Sequence, residues 1–90
     1  MAKRIAVLLR NRQDEGLRMA VGLTLADDRI DVYVLDRLLE ETDSNTLNLE
    51  TLELMEMRIY TNCDRNKGIA FVSTSEIAGR LLEYDSVLPY

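Results

Sequence analysis

Cys63 is the residue of this chain best suited to covalent chemistry. It is the only cysteine, and it directly follows a short run of strand-forming residues, Arg58 to Asn62. A cysteine thiolate is a nucleophile when nearby cations stabilise it, and Arg65 and Lys67 lie two and four residues further on. Asp64 opposes them, because adjacent negative charge disfavours a thiolate. The thiol is therefore either a reactive group or a small apolar side chain that packs at the end of a core strand.

Several other chemistries are excluded by residues that the chain lacks. There is no histidine, so neither a Cys–His nor a Ser–His–Asp arrangement can form. A thioredoxin-type dithiol needs a second cysteine three residues on, where Asn66 stands. Phosphatase-like catalysis needs an arginine six residues on, where Ile69 stands. Gly68 is isolated and belongs to no glycine-rich phosphate-binding loop. We expect no metal or organic cofactor.

Length and charge restrict the class of protein. Ninety residues fit one domain, 1–90, whose core is modest, so association with other chains is expected. A net charge of -5 lacks the basic surface that dominates nucleic-acid affinity. The longest apolar run, Ile5 to Leu9, is far shorter than a membrane span, and a single cysteine agrees with a reducing compartment. We therefore expect a cytoplasmic protein that binds neither nucleic acid nor membranes.

The elements that position Cys63 follow from the apolar pattern. Ile5 to Leu9 and Ile30 to Leu35 have the composition of buried strands. Between them, apolar residues recur at helical spacing from Glu15 to Leu25, which predicts an amphipathic helix with Asp14 as its N-cap. A turn over residues 27–29 then leads into the second strand. Strand, helix and strand with short links indicate a right-handed parallel βαβ unit.

The second half of the chain continues the alternation. The segment Leu38 to Asn45, which ends in the polar run Glu40 to Asn45, is interpreted as a surface loop, with a helical turn at its start as the alternative. Beyond this loop the pattern predicts a helix over Leu47 to Met55, capped by Asn48, and then strands over Arg58 to Asn62 and Ile69 to Val72. A further helix begins with the capping box Ser73 to Glu76, and an edge strand over Ser86 to Tyr90 follows it. This order predicts an α/β fold, a single-domain, mainly parallel sheet of about five strands with helices on both faces. The loops that follow the strands meet at the carboxyl edge of such a sheet, where ligand sites form.

Four segments of this pattern carry a resemblance to a known family. They are an opening strand, a helix-to-strand stretch, a strand with a cysteine and a glycine, and a helical ending: Ile5 to Leu9, Gly16 to Leu35, Ile59 to Ile69 and Ser75 to Leu88. Together they resemble the DsrE/DsrF-like family of small sulfur-relay proteins, which includes the TusD type. The resemblance runs over nearly the full length of the chain.

The resemblance implies a role for Cys63. In the sulfur-carrying members, a cysteine at the end of the corresponding strand, shortly before a basic residue and glycine, accepts sulfur as a persulfide, and Cys63 with Lys67-Gly68 matches that position. The residues expected to stabilise the thiolate or to form its pocket are Arg65, Lys67, Arg12, Asn62 and Gly68.

The resemblance also implies partners. It suggests a homo-oligomer, a trimer or hexamer, or a hetero-oligomer with related subunits, together with proteins that donate and accept sulfur. The alternative is a non-catalytic DsrE-like oligomeric interaction module or a small-molecule-binding subunit. In the interaction module, the helices and the Leu-rich segment Leu47 to Met57 form the oligomer interface, and Cys63 only packs.

Overall fold

The chain folds around one five-stranded sheet. A computed structural model describes residues 3–25 and 29–90. The strands are β1 Arg4–Leu9, β2 Arg29–Val34, β3 Arg58–Thr61, β4 Ala70–Phe71 and β5 Ser86–Pro89. Their order across the sheet is β4-β3-β2-β1-β5, and every neighbouring pair is parallel. These pairings confirm the predicted parallel sheet. Its two central apolar strands, β1 and β2, are buried on both faces of the sheet.

Three helices cover the two faces. They are α1 Gln13–Thr24, α2 Asp43–Leu54 and α3 Thr74–Leu81. Leu17 of α1 and Leu52 of α2 pack with the even-numbered residues of β2 on one face, whereas Ile77 of α3 packs with Tyr33 and Leu35 on the other. Successive strand residues point to opposite faces, so this division confirms the predicted helices on both faces.

Two of the predicted helix starts are wrong. The first helix begins at Gln13 after Arg12, which makes no side-chain cap, so Asp14 lies inside the helix. The second begins at Asp43, and the Thr42 hydroxyl accepts from the backbone N–H of Asn45. Asn48 is therefore inside that helix.

Residues 43–45, predicted as loop, form the first turn of α2. A polar run rich in Ser, Thr, Asp and Asn is typical both of a loop and of a helix N-terminus, and contacts made after folding decide between the two. The predicted N-cap of α3 is confirmed, since the Ser73 hydroxyl accepts from the backbone N–H of Glu76, while the carboxylate of Glu76 pairs with Arg80.

The strands on the β4 side are shorter than the pattern predicts. β3 ends at Thr61 and β4 contains only Ala70 and Phe71, both exposed at the edge of the sheet. Pro89 lies in β5, which pairs only with β1, so the proline is tolerated at the opposite edge as expected. Two residues of the predicted turn, 27 and 28, lie outside the described residues, and Arg29 already belongs to β2.

Candidate functional site at the end of β3

Cys63 lies at the carboxyl end of β3 and is only partly buried. Its backbone N–H donates to Oγ1 of Thr61 at 3.0 Å, and its carbonyl oxygen accepts from the backbone N–H of Asn66 at 3.1 Å. The backbone on both sides of the thiol is therefore hydrogen-bonded. The sulfur is held at a defined place beside the sheet rather than on a free loop.

Two buried polar side chains hold this loop, and the sequence did not single out either of them. Thr61 Oγ1 donates to the carbonyl of Val34 at 2.8 Å and accepts from Nδ2 of Asn66 at 2.8 Å. Oδ1 of Asn66 in turn accepts from the backbone N–H of Leu39 at 2.9 Å. These bonds join the Cys63 loop to the loop after β2. In the sequence, the one signal for these hydrogen bonds is a threonine at the end of a strand followed by an asparagine in the turn.

Arg65, Lys67 and Gly68 lie together beside the Cys63 loop. All three line a groove of about 570 Å³ that runs between this loop, residues 38–41 and α2. Cys63 itself does not line this groove. Gly68 has a φ of 83°, a left-handed conformation that residues with a Cβ rarely adopt. The glycine is therefore required by the turn into β4.

Asn62 acts as a latch between β2, β3 and α3. Its Oδ1 accepts from the backbone N–H of Asp36 at 2.7 Å, while its Nδ2 donates to Oδ1 of Asp36 and to Oγ1 of Thr74. Arg10 donates from Nε to the other carboxylate oxygen of Asp36 at 3.0 Å. The hydrogen bond from Asn62, followed by that from Arg10, lowers the pKa of Asp36 below its ordinary value.

Arg12 follows β1 at its carboxyl end, whereas Cys63 follows β3. Its guanidinium stacks on the ring of Tyr90 at 5.3 Å and pairs with Glu15 at 3.6 Å, and its backbone N–H donates to the carbonyl of Tyr90. β2 separates β1 from β3. The contacts of Arg12 are thus directed toward β5, and the structure does not bring it into contact with Cys63.

Within residues 3–25 and 29–90, no three Cys, Asp or Glu side chains are grouped so that they could hold a metal ion. In the same residues no helix is long and apolar enough to cross a membrane.

The fold and the candidate site define a small parallel α/β protein with one partly buried cysteine at a strand end. Comparison of the chain with protein-family models, with curated proteins and with solved structures finds no match.

Proposed function

We propose that this protein carries sulfane sulfur on Cys63, as its resemblance to the DsrE/DsrF-like sulfur-relay proteins implies. One observation supports this most directly: the thiol is partly exposed at the carboxyl end of a parallel strand, where α/β proteins build their sites. A cysteine that only fills space is expected to be fully buried. The backbone bonds from Cys63 to Thr61 and Asn66 add positional order.

The transfer is a displacement at sulfur. The Cys63 thiolate attacks the outer sulfur of a donor persulfide, a new S–S bond forms, and the donor leaves as a thiolate. Cys63 then holds the group S–SH. An acceptor thiolate attacks this outer sulfur in the second step, and the Cys63 thiolate is released. The two displacements are balanced, so no external oxidant, metal or organic cofactor is needed.

Arg65 and Lys67 supply positive charge on the loop that carries the thiol. Neither side chain takes part in the ion pairs found among the described residues, so both charges are free to act on an anionic sulfur. Nearby cations stabilise a thiolate and a persulfide anion. Asp64, also exposed, carries the opposite charge on the same loop and reduces this effect.

The direct test is sulfur loading followed by intact mass measurement. The protein is incubated with a cysteine desulfurase and L-cysteine, and separately with glutathione persulfide, so that the result does not depend on one donor protein. We expect one added sulfur atom, which a thiol reductant removes. Cys63→Ser should gain none.

Charge variants give a matched comparison. Arg65→Gln and Lys67→Gln should load up to about fivefold more slowly, the rate equivalent of the ~1 kcal/mol that an exposed charge contributes. Arg18→Gln, an exposed arginine on α1, should load at the wild-type rate. If Cys63 is alkylated readily by iodoacetamide yet gains no sulfur from either donor, the proposal is wrong.

A second candidate function, an oligomeric interaction module, is favoured by exposed leucines on α2. Leu47 is 64% exposed and Leu54 is 85% exposed. They lie seven residues apart, and therefore on one face of the helix. Leu25, which follows α1, is 84% exposed. Apolar side chains this exposed are typical of surfaces that another chain covers.

Light scattering coupled to size exclusion tests this module. If α2 is the interface, Leu47→Glu and Leu54→Glu should both convert an oligomer to a monomer. Leu82→Glu, an equally exposed leucine that follows α3, should leave the oligomer intact. A wild-type protein that is monomeric at high concentration would rule out the module, but it would leave sulfur loading on Cys63 unaffected.

A further inference from the structure

A small polar cavity lies toward the amino ends of the strands, at the opposite end of the sheet from Cys63. Its volume is about 200 Å³. Its lining consists of three arginines, one glutamate, three tyrosines and a buried aspartate: Arg4, Arg58, Arg80, Glu83, Tyr33, Tyr60, Tyr84 and Asp31. α3 ends at Leu81, and Glu83 and Tyr84 of the lining follow it. The three tyrosines also pack in the core cluster on this face of the sheet, whereas the charged residues of the lining take no part in the proposed sulfur chemistry.

Asp31 is the unusual member of the group. It occupies the third position of β2 and is 3% exposed. Its Oδ2 accepts a hydrogen bond from the Tyr84 hydroxyl, which lies 2.8 Å from the hydroxyl of Tyr33. Its Oδ1 is buried and has no hydrogen-bond partner. A buried carboxylate oxygen without a donor destabilises a protein, so the position calls for a donor that the chain does not provide.

Three arginines surround this carboxylate without pairing with it. Arg58 is the direct neighbour of Asp31 in the β2–β3 ladder. Arg4 stacks on the ring of Tyr84 at 5.0 Å, and Arg80 stacks on the ring of Tyr60 at 5.0 Å. No ion pair to Asp31 occurs among the described residues. The lining therefore combines the buried carboxylate of Asp31 with three guanidinium groups and one further carboxylate, that of Glu83.

We propose that this cavity binds a small zwitterion of the α-amino-acid type. The ammonium group of the ligand donates to Asp31, and its carboxylate lies against the guanidinium of Arg58. A guanidinium recognises a carboxylate in a bidentate manner. The volume corresponds to about six or seven water molecules at ~30 Å³ each, which suits an amino acid as small as alanine or serine. Oδ1 of Asp31 is buried, so the side chains that cover it must move for the ammonium group to reach it.

The alternative is an internal ion pair. Arg58 is exposed and adjacent in register, so its guanidinium could turn inward and donate to Asp31 with no ligand present. The two arrangements differ in a measurable way. A ligand site responds to added amino acid, whereas an internal pair does not.

The test is a ¹H–¹⁵N NMR titration of the full chain with L-alanine and L-serine. We expect shifts of the amides of residues 31–33 and 83–85, with a Kd on the order of a millimolar for so few ligand atoms. Acetate and methylammonium each carry one half of the zwitterion and should bind about tenfold more weakly, since each forms only one of the two charge-assisted contacts. If neither amino acid moves these amides, or if acetate binds as tightly as alanine, the proposal is overturned.

Variants assign the contacts. Arg58→Gln, an exposed change that the fold tolerates, should weaken alanine binding about tenfold or more. Asp31→Asn should do the same if the protein remains folded. Lys67→Gln and Cys63→Ser should bind alanine as the wild type does, so that this proposal and the sulfur proposal fail independently. Equal binding by Arg58→Gln and the wild type would contradict the site.

Discussion

Oγ1 of Thr61 accepts a hydrogen bond from the backbone N–H of Cys63 at 3.0 Å. The same hydroxyl donates to the carbonyl of Val34 and accepts from the amide of Asn66. One donated and two accepted bonds are the full capacity of a hydroxyl group. Thr61 is completely buried, so this one oxygen connects the loop that carries the thiol to the core of the sheet.

Thr61→Val should therefore destabilise the protein although it preserves the shape of the side chain. The change leaves the N–H of Cys63 and one N–H of the Asn66 side-chain amide without an acceptor, whereas the other N–H of that amide still donates to the carbonyl of Arg37. Each buried unsatisfied group costs about 1–3 kcal/mol. Urea unfolding measures the effect. The matched change Thr46→Val, at an exposed position of α2, should alter the free energy of unfolding by no more than about 0.5 kcal/mol. Similar values for the two variants would contradict the role of the Thr61 hydroxyl.

Two glycines of α1 should respond in opposite directions to alanine. A Cβ at Gly16 would overlap Cδ2 of Leu9 and press on Tyr90, whereas a Cβ at Gly22 would meet no atom within 4 Å. Gly22→Ala should raise the free energy of unfolding by up to about 1 kcal/mol through helix propensity. Gly16→Ala should lower it by about 1–3 kcal/mol, because overpacking outweighs that gain. Thermal or urea unfolding of the pair decides, and equal shifts would show that α1 does not lie this close to β1.

Alkaline pH should weaken the fold through Tyr84. Burial, together with the hydrogen bonds to Asp31 and Tyr33, raises the pKa of Tyr84 above its ordinary value of 10.0. The folded state keeps the phenolic proton where the unfolded chain releases it, so the stabilisation is complete below pH 10.0 and declines as pH rises above it. Urea unfolding as a function of pH measures the decline. Tyr84→Phe should reduce the decline of the free energy of unfolding with rising pH. Tyr90→Phe is the control and should show the same decline as the wild type.

Acid should weaken the Asn62 latch. The hydrogen bonds from Asn62 and Arg10 hold the pKa of Asp36 below its ordinary value of 3.8. The stabilisation is therefore present above pH 3.8 and is lost as pH falls through the lower folded pKa. Asn62→Ala should move the carboxyl pKa of Asp36 up toward its ordinary value, which carboxyl NMR titration detects. Asn48→Ala, a matched change on α2, should leave the Asp36 titration as in the wild type.

The elements that could be predicted are those with a strong local signal. The buried strands β1 and β2 are visible in the sequence as apolar runs. The start of α3 is predictable because its N-cap is a local hydrogen bond between Ser73 and Glu76. The start of α2 could not be predicted in this way. Thr42 and Asn48 are both good capping residues. In the folded chain the Thr42 hydroxyl accepts from the backbone N–H of Asn45, and the Asn45 side-chain amide donates to the carbonyl of Glu40, and these bonds fix the earlier start.

The candidate sites depend on contacts across long stretches of chain. Thr61 and Val34 are 27 residues apart, and Asn66 and Leu39 are also 27 apart. Asp31 lies in a strand whose sequence is mainly apolar. Its position beside Arg58 is set by the register between β2 and β3. Register is set by the whole sheet rather than by any one segment, and for this reason these residues were missed.

The amino-acid sequence alone determined the parallel α/β architecture and the position of Cys63 after its strand, because both follow from short-range apolar periodicity and turn residues. Only the tertiary structure decided which polar groups meet. It directs Arg12 to Tyr90 rather than to the thiol, it engages Asn62 in a latch with Asp36, and it buries a carboxylate at the far end of the sheet. Side-chain hydrogen bonds of this kind are made between strands that are adjacent in space but distant along the chain, and no local pattern encodes them.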